Sequence, residues 1–122
     1  MNYGKELILD LHDCDPTTFN RESLDGFFEC LCDAIDMKMC DRHFWDDEGV
    51  PEDEKQTSPH TQGTSAIQFI LTSNITIHTL DQLKAVYINI FSCKDFDCDY
   101  AASIARDWFH GRIVQKLEVI RR

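Results

Sequence analysis

Positive charge is scarce in this chain: 12 lysine and arginine residues stand against 22 aspartate and glutamate, giving a formal net charge of −10 at pH 7. Nucleic acid and anionic membrane surfaces both require a positive face that releases counterions, so neither is expected as a partner. Cationic ligands stay open. Long apolar runs are also missing, and nothing approaches the roughly 18 residues that span a bilayer. The opening Met1-Asn2-Tyr3-Gly4-Lys5-Glu6 has no basic segment followed by an apolar one. A cytoplasmic protein with reduced thiols is therefore expected. Internal repeats are absent from the sequence, as is low complexity outside one acidic run.

Metal-binding knuckles are lacking despite six cysteines. Cys30-x-Cys32 and Cys40-x-x-His43 do not form the paired spacings of a zinc ribbon, and residues two apart on a helix point to different sides. No metal is expected, and most of the thiols read as small buried hydrophobes.

With 122 residues and 43% hydrophobic content, the chain suits a single domain spanning 1–122. Glu6 to His12 alternates as a strand, and Asp13-Cys14-Asp15-Pro16 reads as a turn leading to a helix start. Leu24, Phe27, Phe28, Leu31 and Ile35 recur at helical spacing, so they predict a helix of about four turns facing a sheet. Met37 to Trp45 suits a second strand. The stretch Asp46-Asp47-Glu48-Gly49-Val50-Pro51-Glu52-Asp53-Glu54 has the composition of an exposed loop, or of a site for a cationic group.

Ser65 to Leu71 predicts a strand with Ile67, Phe69 and Leu71 on its well-buried face. Another begins at Ile75, which leaves Thr72-Ser73-Asn74 as a tight connection with Ser73 in the bend. That bend matters because Ser73 and His78, an odd number of residues apart, would face opposite ways along an unbroken strand. Val86 to Cys93 alternates Tyr87, Asn89, Phe91 and Cys93 against Val86, Ile88, Ile90 and Ser92. Asp97 or Asp99 can cap a second helix carrying Tyr100, Ile104, Ala105, Trp108 and Phe109, ended by Gly111. Ile113 to Ile120 is a last strand. The order predicts an α+β two-layer sandwich, a largely antiparallel sheet with both helices on one face.

Several segments together resemble the small prokaryotic and viral type of S-adenosylmethionine decarboxylase, a pyruvoyl-dependent family. They are Gly4-Lys5, Asp13-Cys14-Asp15, Gln62-Gly63-Thr64-Ser65, Thr72-Ser73-Asn74-Ile75-Thr76-Ile77-His78-Thr79 and Ile90-Phe91-Ser92-Cys93. The resemblance implies that Ser73 attacks the Thr72 carbonyl and that the chain splits into residues 1–72 and 73–122. Residue 73 is left as a pyruvoyl group, the Schiff-base partner of the substrate amine. By the same pattern Ser65 assists processing, His78 acts as its base, and Cys93 returns a proton to the substrate. A self-made cofactor requires no metal. The resemblance further implies a homodimer of cleaved protomers with an active site near the interface. Phe44 and Trp45 are candidates for stacking on an adenine or packing across subunits. A small-molecule substrate follows: S-adenosylmethionine, decarboxylated to the aminopropyl donor for spermidine and other polyamines.

Three positions depart from the family pattern. Thr72 stands where Glu is common, Asn74 where His is often found, and Gln82 where a Glu often bonds the substrate's ribose. Gln82 can still bond a hydroxyl without charge assistance, and adjacent Asp81 is a substitute. Two alternatives stay open: a pyruvoyl-dependent ornithine or arginine decarboxylase, and an unprocessed homologue that binds a ligand or activates a partner.

Overall fold

Residues 2–122 are described in the computed structural model. The elements run β1 (Gly4–His12), α1 (Arg21–Ala34), β2 (Met39–Trp45), β3 (Gly63–Ile70), β4 (Ser73–Leu80), β5 (Ala85–Ser92), α2 (Cys98–Phe109) and β6 (Arg112–Arg121). The strands form one sheet in the order β2-β3-β4-β5-β1-β6, with every neighbouring pair antiparallel. Both helices share one face, so the expected α+β two-layer sandwich is the fold.

Local chemistry explains the helix ends. The Asn20 side chain accepts from the Ser23 backbone N–H at 2.9 Å and starts α1. The Asp15 cap and Pro16 instead open a single 3-10 turn, Pro16–Thr18. Asp36, at φ 57°, takes the left-handed position that usually falls to glycine after a helix, and the Met37 N–H closes back onto the Cys32 carbonyl at 2.8 Å. Asp97, not Asp99, caps α2 by accepting from the Tyr100 N–H at 3.0 Å.

The core lies between the helices and one sheet face. Leu24, Phe27, Phe28 and Leu31 of α1 pack with Ala101, Ala105 and Phe109 of α2 over Leu7, Leu9, Ile75, Ile77, Ile88 and Ile90. Phe27 and Phe109 meet edge-inclined, with ring centroids 4.9 Å apart. Truncating Phe27 to alanine would cost roughly 3–5 kcal/mol, the usual loss for a buried aromatic. Where α1 faces α2, an added Cβ on Gly26 would lie 3.0 Å from the Trp108 ring.

Strand β3 is turned over relative to the sequence expectation. Ala66, Gln68 and Ile70 face the core, whereas Ile67 is half-buried and Phe69 and Leu71 are exposed. Hydrophobicity ranked the two faces wrongly because Gln68 is a satisfied buried polar residue. Its Oε1 accepts from the Arg42 guanidinium, and its amide donates to the Cys40 and Phe69 carbonyls. Among the described residues, no helix is long and apolar enough to cross a membrane.

The sheet face away from the helices carries Ile8, His43, Trp45, Ser65, Ile67, Phe69, His78, Tyr87, Asn89, Phe91 and Leu117, by strand alternation and register. Trp45, Phe69 and Leu117 are exposed on it. Among the described residues, no element covers this face.

Candidate active site

The β3–β4 hairpin places the first group of residues. Ile70 pairs with Ser73, so only Leu71 and Thr72 form the turn and Ser73 is the first residue of β4. The bend thus falls one residue earlier than Thr72-Ser73-Asn74. Two-residue hairpins need a positive φ inside the loop, and Thr72 supplies it at φ 57°. A β-branched residue is sterically ill suited there, at a cost of roughly 1–2 kcal/mol. Hydrogen bonds hold it in place: the Leu71 N–H donates to the Lys38 carbonyl at 3.1 Å.

Strand β5 presents Cys93 beside this turn. Its backbone N–H donates to Ser73 Oγ at 2.9 Å, and its thiol points to the Leu71 carbonyl at 3.8 Å. Ser73 is buried, and Cys93 is half-buried. Gly4 lets β1 run close along the same backbone, since a Cβ there would fall 2.0 Å from the Ser92 carbonyl oxygen and 2.7 Å from the Cys93 carbonyl carbon. A cavity of about 370 Å³ opens at this sheet end, lined by Ser73, Cys93, Leu71, Asp36, Lys38 and Lys94.

Ser65 and His78 form a second group. They are direct partners across β3 and β4, and Ser65 Oγ lies 2.7 Å from His78 Nδ1. That bond fixes the imidazole's orientation and leaves Nε2 free to work. A recess of about 580 Å³ beside them includes Trp45, His60 and Tyr87.

The two groups do not meet within one chain. Strand β4 is continuous, Ser73 faces the helices, and His78 faces the uncovered side. Five residues of strand separate them by roughly 16 Å. The expected bend therefore does not bring this serine and histidine together.

A family model of S-adenosylmethionine decarboxylase matches residues 5–122. The chain belongs to the S-adenosylmethionine decarboxylase family. Among solved structures, the adenosylmethionine decarboxylase from Aquifex aeolicus VF5 is similar at a TM-score of 0.74 and 18% identity, over 98% of this chain and 91% of that one. At that identity the likeness speaks for the fold. No curated protein matches.

Against the family pattern, Gln82 is already engaged. Its side-chain amide donates to the Thr57 carbonyl at 2.9 Å and to Gln62 Oε1 at 2.6 Å, tying down the segment before β3. Burial pushes the Asp81 carboxyl above its ordinary range. Asp81 lines the recess of about 400 Å³ that also holds Asp46, Asp47, Glu48 and Glu52. Arg21 pairs with Asp46 at 2.8 Å and with Glu48 at 3.1 Å, so part of the acidic run is internally balanced.

Trp45 is exposed beside the Ser65–His78 pair, while Phe44 packs against the core, which separates the two aromatic candidates. The six cysteines are all free thiols. Cys30 is exposed and Cys32 buried, on different sides of α1. Among the described residues, no three His, Cys, Asp or Glu side chains gather as a metal site. Sequence reading passed over Asp36 and Lys94; the adjacency of Lys94 to Cys93 was the available signal.

Proposed function

We propose that this chain is a self-processing, pyruvoyl-dependent decarboxylase of S-adenosylmethionine that serves polyamine synthesis and works as a homodimer. One observation carries the reading: a β-branched residue held left-handed at φ 57° immediately before a serine whose hydroxyl is fixed by the Cys93 amide. Backbone strain of this kind persists only where surroundings enforce it, and it gathers at functional sites.

The residues fit a pyruvoyl precursor. Ser73 Oγ attacks the Thr72 carbonyl carbon, the C–N bond breaks, and an ester with a free amine replaces the amide. Loss of the α-proton of residue 73 to a base expels the Thr72 carboxylate as the new end of 1–72. The dehydroalanine left behind takes up water and releases ammonia, leaving a ketone at residue 73. Once formed, that ketone supplies an electron sink for loss of carbon dioxide. The Cys93 thiol, beside residue 73, holds the proton returned to the substrate carbon.

Ser65 and His78 suit the roles of processing partner and base, but only from another copy. The uncovered sheet face bears exposed Trp45 beside that pair, with exposed Phe69 along β3 and exposed Leu117 on β6, three strands beyond β4. Packing two such faces about a two-fold axis buries the apolar surface and sets His78 of one protomer against the partner's sheet, where it meets the backbone side of residue 73, whose side chain points the other way.

Intact-mass analysis of the purified protein tests the proposal: two pieces, 1–72 and 73–122, are expected, the second with a blocked start. A single full-length species after prolonged incubation would overturn it and favour the unprocessed, ligand-binding alternative. One observation supports a different substrate, ornithine or arginine: the amide of Gln82 is spent on the Thr57–Gln62 segment rather than left for a ribose. Release of labelled carbon dioxide from each of the three compounds in parallel decides between them.

A further inference from the structure

The cavity beside Ser73 and Cys93 holds a charged pair with no part in self-cleavage. Lys94 Nζ donates to the Asp36 backbone carbonyl at 2.5 Å and lies 3.6 Å from the Asp36 carboxylate. Asp36 is fully exposed and the Lys94 side chain about half exposed, so water screens the pair and opening it costs little. The backbone under Lys94 is firmer, because its N–H donates to the buried Ser92 hydroxyl at 3.1 Å. An ammonium on a flexible stem is thus anchored to a fixed point directly after Cys93.

Proton return constrains where the substrate's carboxylate must sit. The proton goes to the carbon that loses carbon dioxide, so the carboxylate starts within a few ångströms of the donor thiol. Lys94 and Lys38 are the cations lining this cavity, and Lys94 alone adjoins Cys93. Lys38 belongs to the segment that holds the turn, through its carbonyl on the Leu71 N–H.

We propose that Lys94 is a specificity-determining residue that exchanges Asp36 for the α-carboxylate of an amino-acid substrate, S-adenosylmethionine included. This rests on the decarboxylase reading above. A cation on the carboxylate stabilises bound substrate and transition state to nearly the same extent while most of that negative charge is still in place. Lys94 therefore acts on capture of substrate, and its loss raises KM while leaving kcat nearly unchanged.

The test does not depend on turnover. In the full-length, uncleavable Ser73→Ala chain, calorimetry compares S-adenosylmethionine with its carboxyl methyl ester, and ornithine with ornithine methyl ester. The free acid of the accepted substrate is expected to bind about tenfold more tightly than its ester, the scale of one screened charge contact. Lys94→Gln should abolish that preference, and Lys94→Arg should retain it. Equal preference in Lys94→Gln, or no preference for either free acid with lysine in place, overturns the proposal. In the cleavable chain, Lys94→Gln should raise KM about tenfold at constant kcat. Failure of the wild-type chain to cleave would sink the decarboxylase reading by itself, a result read from mass and separate from the binding comparison.

Discussion

At one end of the β3–β4 hairpin, Thr72 is strained and a backbone amide fixes the Ser73 hydroxyl; at the other, Ser65 and His78 meet on a face that no helix covers. The turn end draws its parts from neighbouring segments of one chain, as the proposed backbone cleavage requires. The far end is a hydrogen-bonded side-chain pair on a largely uncovered sheet face. The contrast teaches that residue types expected to act together need not gather at one place within one copy. Strand alternation separates Ser73 from His78 as firmly as it joins His78 to Ser65.

The largest effect should come from breaking the turn end. Ser73→Ala is expected to remain a single 122-residue species and to lose decarboxylation by roughly 10⁴-fold or more, as for other nucleophile deletions. Mass spectrometry and labelled carbon dioxide release check both parts. Persistent fragmentation would show that the break lies elsewhere.

Removing the far end should be milder. His78→Ala is expected to slow cleavage by roughly 10²–10⁴-fold, the usual worth of a positioned acid or base. Co-expression with Ser73→Ala sharpens the comparison. A hybrid dimer pairs the intact Ser73 of one chain with the intact His78 of the other, so the His78→Ala chain should be cut. If it stays whole in verified hybrid dimers, the two ends do not cooperate across copies.

A smaller effect concerns strain alone. Thr72→Asn keeps a side chain but tolerates the left-handed conformation. In the Ser73→Ala background it should raise stability by about 1 kcal/mol in urea titration. In the cleavable chain it should slow cutting by about fivefold if that energy drives the reaction. Unchanged kinetics with raised stability would separate strain from chemistry.

The smallest effect distinguishes Cys93 from the core thiols. Burial pushes the Cys98 thiol up to about 12, helped by Glu118, and the Cys14 and Cys32 thiols up to about 11. At pH 8, iodoacetamide should modify Cys30, Cys40 and Cys93 in the native protein and spare the other three. These raised values also give a sign. Unfolded cysteines lose their protons from about 8.5 upward, whereas the folded ones keep theirs. The stability they confer is complete below that pH and falls as the pH climbs toward about 11. The urea midpoint should drop between pH 8 and pH 10.5.

Much of this molecule was legible along the chain. The spacing of Leu24, Phe27, Phe28 and Leu31 specified the buried stripe of α1, and the alternation through Tyr87, Asn89 and Phe91 specified the open side of β5. The side assignment failed at β3, where Gln68 is buried against Arg42 and two carbonyls, since no hydropathy pattern reveals a polar group satisfied by distant partners. The turn was misplaced by one residue because asparagine and serine favour bends locally, while the pairing of Ile70 with Ser73 obliged threonine to take the strained position.

By its order of residue types, the sequence alone determined the α+β class, the family membership and the presence of Ser65, Ser73, His78 and Cys93. Only the tertiary structure decided that these four fall into two groups, with Ser73 and His78 on opposite faces of β4, and that Asp36 and Lys94 close beside one of them. The reason is physical: side-chain chemistry is written residue by residue, but which side chains share a space depends on strand register and on contacts between segments far apart in the chain.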